Sequence, residues 1–177
     1  MLKRWNPEAF WRDYEETVGA SNLGRMAHYP QHGTTCRLLH SVAVAYYSCR
    51  VAALLGGGFH MREMTRGALL HDYFFYDAQD GDPAHKGHWS RHPEIAWRNA
   101  AKELPLTGRE EDIIRTHMFP LTLRPPRYRE GAVVTLVDKG CSVYEFFKRK
   151  DPYPRLAGRF SRLSRGGGGE RAVSAKP

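Results

Sequence analysis

Histidine and aspartate are the residues of this sequence that could bind a metal ion or take part in catalysis. Nine histidines occur among 177 residues, and one of them, His71, is followed directly by Asp72. Neutral imidazole and carboxylate groups suit ions of manganese, iron, cobalt, nickel and zinc. The three cysteines lack the paired spacing of a thiolate zinc site. The composition therefore indicates a metal site with nitrogen and oxygen ligands.

The His71-Asp72 pair alone is a weak signal, because chance produces about 0.4 such pairs in a chain of this composition. His40 and Asp138 strengthen it, since each lies among apolar residues in a segment with helical spacing. Taken singly, His40 could be a hydrogen-bonded core histidine, and Asp138 could pair with an arginine or face solvent. A buried carboxylate without a partner is costly, so the four residues together favour metal binding.

Helices are expected to hold these residues, because apolar side chains recur with the period of a helix along most of the chain. The predicted boundaries, in chain order, are Pro7 to Gly19, an N-cap at Thr34 or Thr35 with an end at Gly56, Met61 to Tyr76, an N-cap at Ser90 with Pro93 in the first turn, a capping box at Thr107 and Glu110, and a start near Glu130. No convincing alternation of apolar and polar residues predicts a sheet. The expected fold class is all-α, a compact bundle of about six main helices, with His40 and Asp138 in mid-helix.

The positive charge of the chain is concentrated near its C-terminal end. Residues 148–177 contribute +7 of the net charge of +8, so that residues 1–147 are almost neutral. Residues 156–177 are basic and rich in glycine, and we expect them to be a disordered tail after one domain over residues 1–155. A nucleic-acid partner is not expected for the domain, and binding through the tail is the weaker alternative.

Neither export nor a membrane anchor is expected from the sequence. The longest apolar run, Val51 to Leu55, is far shorter than the roughly 20 residues that cross a bilayer. The first residues include acids where a secretion signal would be apolar. An odd number of cysteines without paired spacing fits a reducing compartment. The expected location is the cytoplasm, without a membrane partner.

The order of these residues resembles the HD-domain metal-dependent phosphohydrolases, in which a His, a His-Asp pair and a distant Asp lie on an α-helical core. The pattern is carried by His40 in HSVAVA, His71 and Asp72 in ALLHD, and Asp138 in LVDK. The resemblance covers residues 31–147. It implies hydrolysis of a phosphoester or phosphoanhydride, with a nucleotide as the favoured substrate because the family mostly acts on nucleotides, and with His71 and Asp72 at the catalytic centre.

Members of this family that hold two metals resemble the chain further at His92 and His117. The resemblance implies a first ion at His40, His71, Asp72 and Asp138, a second at His92 and His117, and Asp72 as the bridge. His88 lies close enough in sequence to replace His92. Met118 follows His117, and the Gly-Tyr-Pro signature of cyclic-dinucleotide phosphodiesterases is not in the sequence, so that activity is not expected.

The cofactors implied are two divalent transition metals, with Fe or Mn preferred to Zn, Co or Ni. Lys139, His32 and Arg127 are the candidates for contact with a small phosphorylated substrate, although a solvated basic loop around Arg127 is the plainer interpretation. The alternative function is a metal-containing, nucleotide-sensing regulatory module without turnover. The residues do not decide between a monomer and a homodimer.

Overall fold

The structure is a computed structural model that describes residues 5–78, 80–83, 86–148 and 150–159. Six α-helices of nine residues or more form most of this described part of the chain. The helices are α1 (Pro7–Ala20), α2 (Arg37–Leu55), α3 (Met61–Leu69), α4 (His88–Glu103), α5 (Gly108–Thr116) and α6 (Arg129–Lys148). A 3-10 helix (Leu23–His28) and an antiparallel pair, β1 (Pro30–His32) and β2 (Thr35–Cys36), lie between α1 and α2. The all-α fold class is therefore confirmed.

The central helix is α2, whose small apolar residues let α3 and α6 pack closely against it. Val42, Ala43, Val44 and Ala45 have no exposed surface, although together they point in every direction around the helix. Among the described residues, α2 is the one helix long and apolar enough to cross a membrane by length and composition. The fold buries 56% of its most apolar window, as expected for the central helix of a helical core.

α3 and α5 make their close approach at Gly67. A Cβ atom there would lie 2.8 Å from the Cδ1 atom of Ile113, nearer than carbon atoms can pack. A salt bridge of 3.1 Å between Arg66 and Glu110 joins the same two helices. Glu110 also completes the predicted capping box with Thr107, which is confirmed. This contact fixes the ends of both helices, where His71 and His117 follow.

The prediction that the third helix continues to Tyr76 is wrong, because α3 ends at Leu69. His71 and Asp72 therefore lie in the turn that follows the helix, where the backbone N–H of Phe74 donates to the carbonyl of Asp72 at 2.8 Å. The apolar pattern continues past the helix because Phe74 and its neighbour Tyr73 are almost fully buried in this turn.

The predicted N-caps of the second and fourth helices are also wrong. Cys36 precedes α2, because Thr35 is paired in the small sheet, and His40 consequently lies in the first turn rather than in mid-helix. Gly87 precedes α4, and its left-handed conformation starts the helix before Ser90. His92 and Pro93 therefore occupy the second turn of α4. Asp138 does lie in the middle of α6, as predicted.

The chain after α6 returns to the helical body. Residues 154–159 are helical, Leu156 is buried, and Arg159 forms a salt bridge of 2.8 Å with Glu8 of α1. The start of the expected tail, residues 156–159, is thus helical and packed. The remainder, residues 160–177, lies outside the described residues.

Candidate metal centre

The fold brings the six predicted metal ligands together in one buried cluster. Each is less than a tenth exposed: His40, His71, Asp72, His92, His117 and Asp138. They come from α2, the turn after α3, α4, the C-terminal cap of α5 and α6. These elements are far apart in sequence, so only the packing of the helices places the side chains in contact.

The first group of ligand atoms surrounds His71. The Nε2 atom of His71 lies 3.5 Å from Oδ2 of Asp72 and 3.5 Å from Oδ1 of Asp138. That same Asp138 oxygen lies 3.1 Å from Nε2 of His40. Ligand atoms around one transition-metal ion are spaced about 3 Å apart when each is about 2.1 Å from the metal. The group therefore has the composition and spacing to hold one ion.

The second group lies on the other side of the Asp72 carboxylate. Its Oδ1 atom is 3.2 Å from Nε2 of His92 and 3.6 Å from Nε2 of His117. The two histidine Nε2 atoms are 2.8 Å apart. Asp72 thus presents Oδ2 to the first group and Oδ1 to the second, and this is the arrangement that a bridging carboxylate requires.

Hydrogen bonds at the far side of each ring determine which nitrogen faces the centre. The acceptors for Nδ1 are Glu145 Oε1 at His40, the Ala68 carbonyl at His71, the His88 carbonyl at His92 and the Ile114 carbonyl at His117, at 2.7 to 3.1 Å. Because a carbonyl or carboxylate only accepts, each Nδ1 carries a proton, so that in the neutral form of each ring the Nε2 lone pair faces the centre.

These inward lone pairs fit a metal ion better than they fit one another. Two unprotonated Nε2 atoms 2.8 Å apart, at His92 and His117, would repel unless a cation lay beside them. The Nε2 atom of His71 is buried without a hydrogen-bond partner in the described structure. A buried polar atom of this kind needs a partner, and coordination would supply one.

The electrostatics of the cluster follow from burial and from its mixture of charges. Burial lowers the pKa of His117 to about 3, with help from His71 and His92, which favours the neutral, ligating form. Burial alone would raise the pKa of Asp72, but the neighbouring histidines, His71 first and then His92, outweigh it and hold the pKa well below the usual range. In the second group, a neutral His117 thus faces the ionised carboxylate of Asp72.

The predicted substrate-binding residues are only partly brought to the centre. A cavity of about 150 Å³ opens onto Asp72 and His117, and His32 is among its lining residues. Lys139 does not line it, because its Nζ atom donates to the carbonyl of His117 at 2.9 Å. Arg127 is exposed and outside the lining, with its backbone N–H bound to a side-chain oxygen of Asp112 at 2.9 Å.

Two residues that hydrogen-bond to candidate ligands, Glu145 and Gln31, were not assigned that role from the sequence. Glu145 is fully buried and binds Nδ1 of His40 at 2.9 Å. Its position seven residues after Asp138, two turns along one face of α6, was the available signal. On the other side, Nε2 of Gln31 donates to Oδ2 of Asp72 at 2.7 Å, and Nε of Arg37 donates to Oε1 of Gln31 at 3.0 Å.

His88 does not replace His92 in the second group. Its ring stacks on the ring of His92 with centroids 4.6 Å apart, and its Nδ1 lies 2.9 Å from the hydroxyl of Tyr76. The ligand positions belong to His92 and His117, which lie with Asp72 in the group that could hold an ion. His88 forms a wall of the cavity beside them.

The fold and centre together define an all-α protein with two buried His/Asp groups that could hold metal ions. No family model, curated protein or solved structure matches the chain. The similarity to HD-domain proteins therefore rests on the helical fold and on these histidines and aspartates.

Proposed function

We propose that the protein is a metal-dependent phosphohydrolase that acts on a phosphoester or phosphoanhydride, with a nucleotide as the favoured substrate class. The observation that carries the proposal is the Asp72 carboxylate, whose two oxygens face two histidine groups beside an open cavity. Hydrolytic enzymes with two adjacent metals use such a centre to stabilise both the attacking and the leaving oxygen.

Two divalent transition metals, Fe or Mn by preference, suit the ligands proposed. One ion would be held by His40, His71, Asp72 and Asp138, and the other by Asp72, His92 and His117. When bound, ions of this kind would lower the pKa of a water molecule attached to them. Their positive charge would also stabilise the phosphoryl oxygens of a substrate. Within this proposal, His71 and Asp72 are the central catalytic residues.

The lining of the cavity supports an absolute dependence on metal. Arg37 is the one lysine or arginine among the described lining residues. Its guanidinium already donates to Gln31 and to the carbonyls of Pro30, Phe74 and Tyr76. Burial and the charge of His40 lower the pKa of His32, which therefore offers a hydrogen bond rather than a charge near pH 7. Metal ions are consequently the cations that would balance a phosphate.

The size of the cavity supports a substrate that is only partly enclosed. A volume of about 150 Å³ is below the roughly 300 Å³ at which pockets for drug-sized ligands begin. A phosphoryl group would enter, while the rest of the substrate stayed at the rim. Trp89 stands there with 67% of its surface exposed, and a base can stack on an exposed aromatic ring. This is the feature that favours a nucleotide.

Phosphate release from nucleoside monophosphates by the Mn²⁺-loaded protein tests the proposal. We expect release that stops with chelator and in Asp72→Ala, while Asp82→Ala, an exposed aspartate outside the centre, retains it. Trp89→Ala should raise KM for nucleotides and leave 4-nitrophenyl phosphate unaffected. Nucleotide binding without phosphate release from any substrate would instead favour the regulatory module.

A further inference from the structure

A second and larger cavity lies at the opposite end of α2. Its volume is about 570 Å³, within the range of roughly 300 to 1,000 Å³ that holds drug-sized ligands. The two cavities share none of their described lining residues. His40 and Ala52, which belong to the two sites, are separated by about 18 Å along the helix at 1.5 Å per residue.

The volume exists because small residues occupy the positions where large ones would fill the core. Ala9 of α1 and Ala52 and Ala53 of α2 face it, and the loop of Gly56, Gly57 and Gly58 closes one end. All three glycines have positive φ, so side chains would strain the loop.

The loop is held in place rather than free. The guanidinium of Arg129 donates to the carbonyl of Gly58 and lies 4.5 Å from the centroid of the Phe59 ring. Trp5, Phe10 and Phe59 add aromatic surface to the lining. The cavity is therefore a formed, largely apolar chamber, which is the usual character of a small-molecule site.

Among the described lining residues, Asp13 is the one that carries a charge. Its residue is 7% exposed, and its Oδ1 atom lies 3.7 Å from Arg62, too far for a hydrogen bond. Arg62 instead donates to Glu16 at 2.6 Å. Within the described part of the chain, the Asp13 carboxylate accepts no hydrogen bond, and Arg62 is its one ion-pair partner. Burial raises the pKa of Asp13, because its carboxylate is partly removed from water.

The other polar residues of the lining already have partners. The side-chain oxygen of Asn6 accepts from the backbone N–H groups of Glu8 and Ala9. The hydroxyl of Thr65 is 3.2 Å from the sulfur of Cys49. A ligand would therefore find apolar and aromatic walls, with Asp13 as the single carboxylate acceptor.

We propose that this cavity binds a small organic cation, with an aromatic or other apolar body between α1 and α2 and one ammonium group paired with Asp13. A carboxylate partly removed from water gains most from a charged donor. Aromatic rings add cation–π attraction. An anion of the same shape is excluded, because it would meet Asp13 with like charge.

The test is calorimetric titration of the full chain with tryptamine and with indole-3-propionate, which share an indole body and differ in the sign of the end group. We expect tryptamine to bind and indole-3-propionate not to bind. Asp13→Asn should weaken tryptamine about 10- to 100-fold, the loss expected for a charge-assisted hydrogen bond. Glu15→Gln, an exposed acid on the same helix, should have no effect.

A second variant keeps the test independent of the folding of Asp13→Asn. Ala53→Phe fills the chamber without touching the carboxylate and should abolish tryptamine binding. Equal affinity for the two indoles, wild-type affinity in Ala53→Phe, or no binding to the full chain at millimolar probe would overturn the proposal. Binding that appeared only after removal of residues 1–4 would also overturn it, since the chain itself would then be the occupant.

Discussion

Glu145 offers the sharpest test of the metal centre, because it touches a proposed ligand but is not one. In Glu145→Gln, the side-chain oxygen can still accept the proton of Nδ1 of His40, so that the shape is kept and the charge is lost. Loss of such a supporting carboxylate typically costs 10- to 100-fold in metal affinity. Glu145 is fully buried and its bond to His40 is 2.9 Å. We therefore expect about 100-fold, or ~2.7 kcal/mol.

The pH dependence of this loss also has a definite sign. Burial opposes a second proton on the ring of His40, at Nε2. The charges and hydrogen bonds of Glu145 and Asp138 outweigh this effect and raise the pKa of His40 well above the usual value. That proton competes with a metal ion. Removing the charge of Glu145 weakens the binding of the competing proton as well as the binding of the metal ion. The difference in metal affinity between the wild type and Glu145→Gln is therefore smallest at low pH. It grows as pH rises through the raised pKa of His40, where the wild-type ring becomes free to bind.

Competition of the protein with a chelating dye for Mn²⁺, measured from pH 6 to 9, gives both quantities. Glu111→Gln, on α5 and outside the ligand groups, is the matched control. A loss below about threefold at every pH, with the variant as stable as the wild type to urea, would refute the role assigned to Glu145.

Two further predictions concern the ligand groups and the helix contact behind them. Metal analysis of reconstituted protein should give about two ions per chain, none in Asp72→Ala and one in His117→Ala, because Asp72 serves both groups; equal loss in the two variants would contradict the bridge. Gly67→Ala should destabilise the fold by about 1 to 3 kcal/mol through overpacking against Ile113. Gly19→Ala, in α1 with open space around it, should be neutral or stabilising in the same urea titration.

Among the candidate ligands, His40 and Asp138 could be singled out from the sequence because they lie among apolar residues, whereas His92 and His117 were implied only by the family resemblance. A histidine or aspartate among apolar residues needs a partner, and Asp138 lies beside buried Val134 as that argument requires. The argument was less accurate for other neighbours, since Leu136 and Val143 are 70% and 57% exposed. The turn at His71 was missed because buried Tyr73 prolongs the apolar pattern without prolonging the helix.

Other features could not be predicted because they depend on gaps and contacts between distant segments. The alanines and glycines of the larger cavity look like ordinary helix and loop residues until α1 and α2 are placed together. Asp13 lies in an amphipathic helix beside Arg12, and its sequence context does not distinguish it from a solvated acid. The basic residue Lys139 was assigned to substrate by its neighbour in sequence, whereas the twist of α6 directs it to the carbonyl of His117.

The contact between Gly67 and Ile113 lies close in sequence to one histidine of each ligand group. Gly67 stands one helical turn before His71, and Ile113 stands one turn before His117. The rings of these two histidines, one from each ligand group, have centroids 4.8 Å apart. The side-chain volume at residues 67 and 113, which are not among the described lining residues of the cavity, therefore contributes to the separation of the two groups. A substitution at residue 67 could change that separation while leaving every candidate ligand in place.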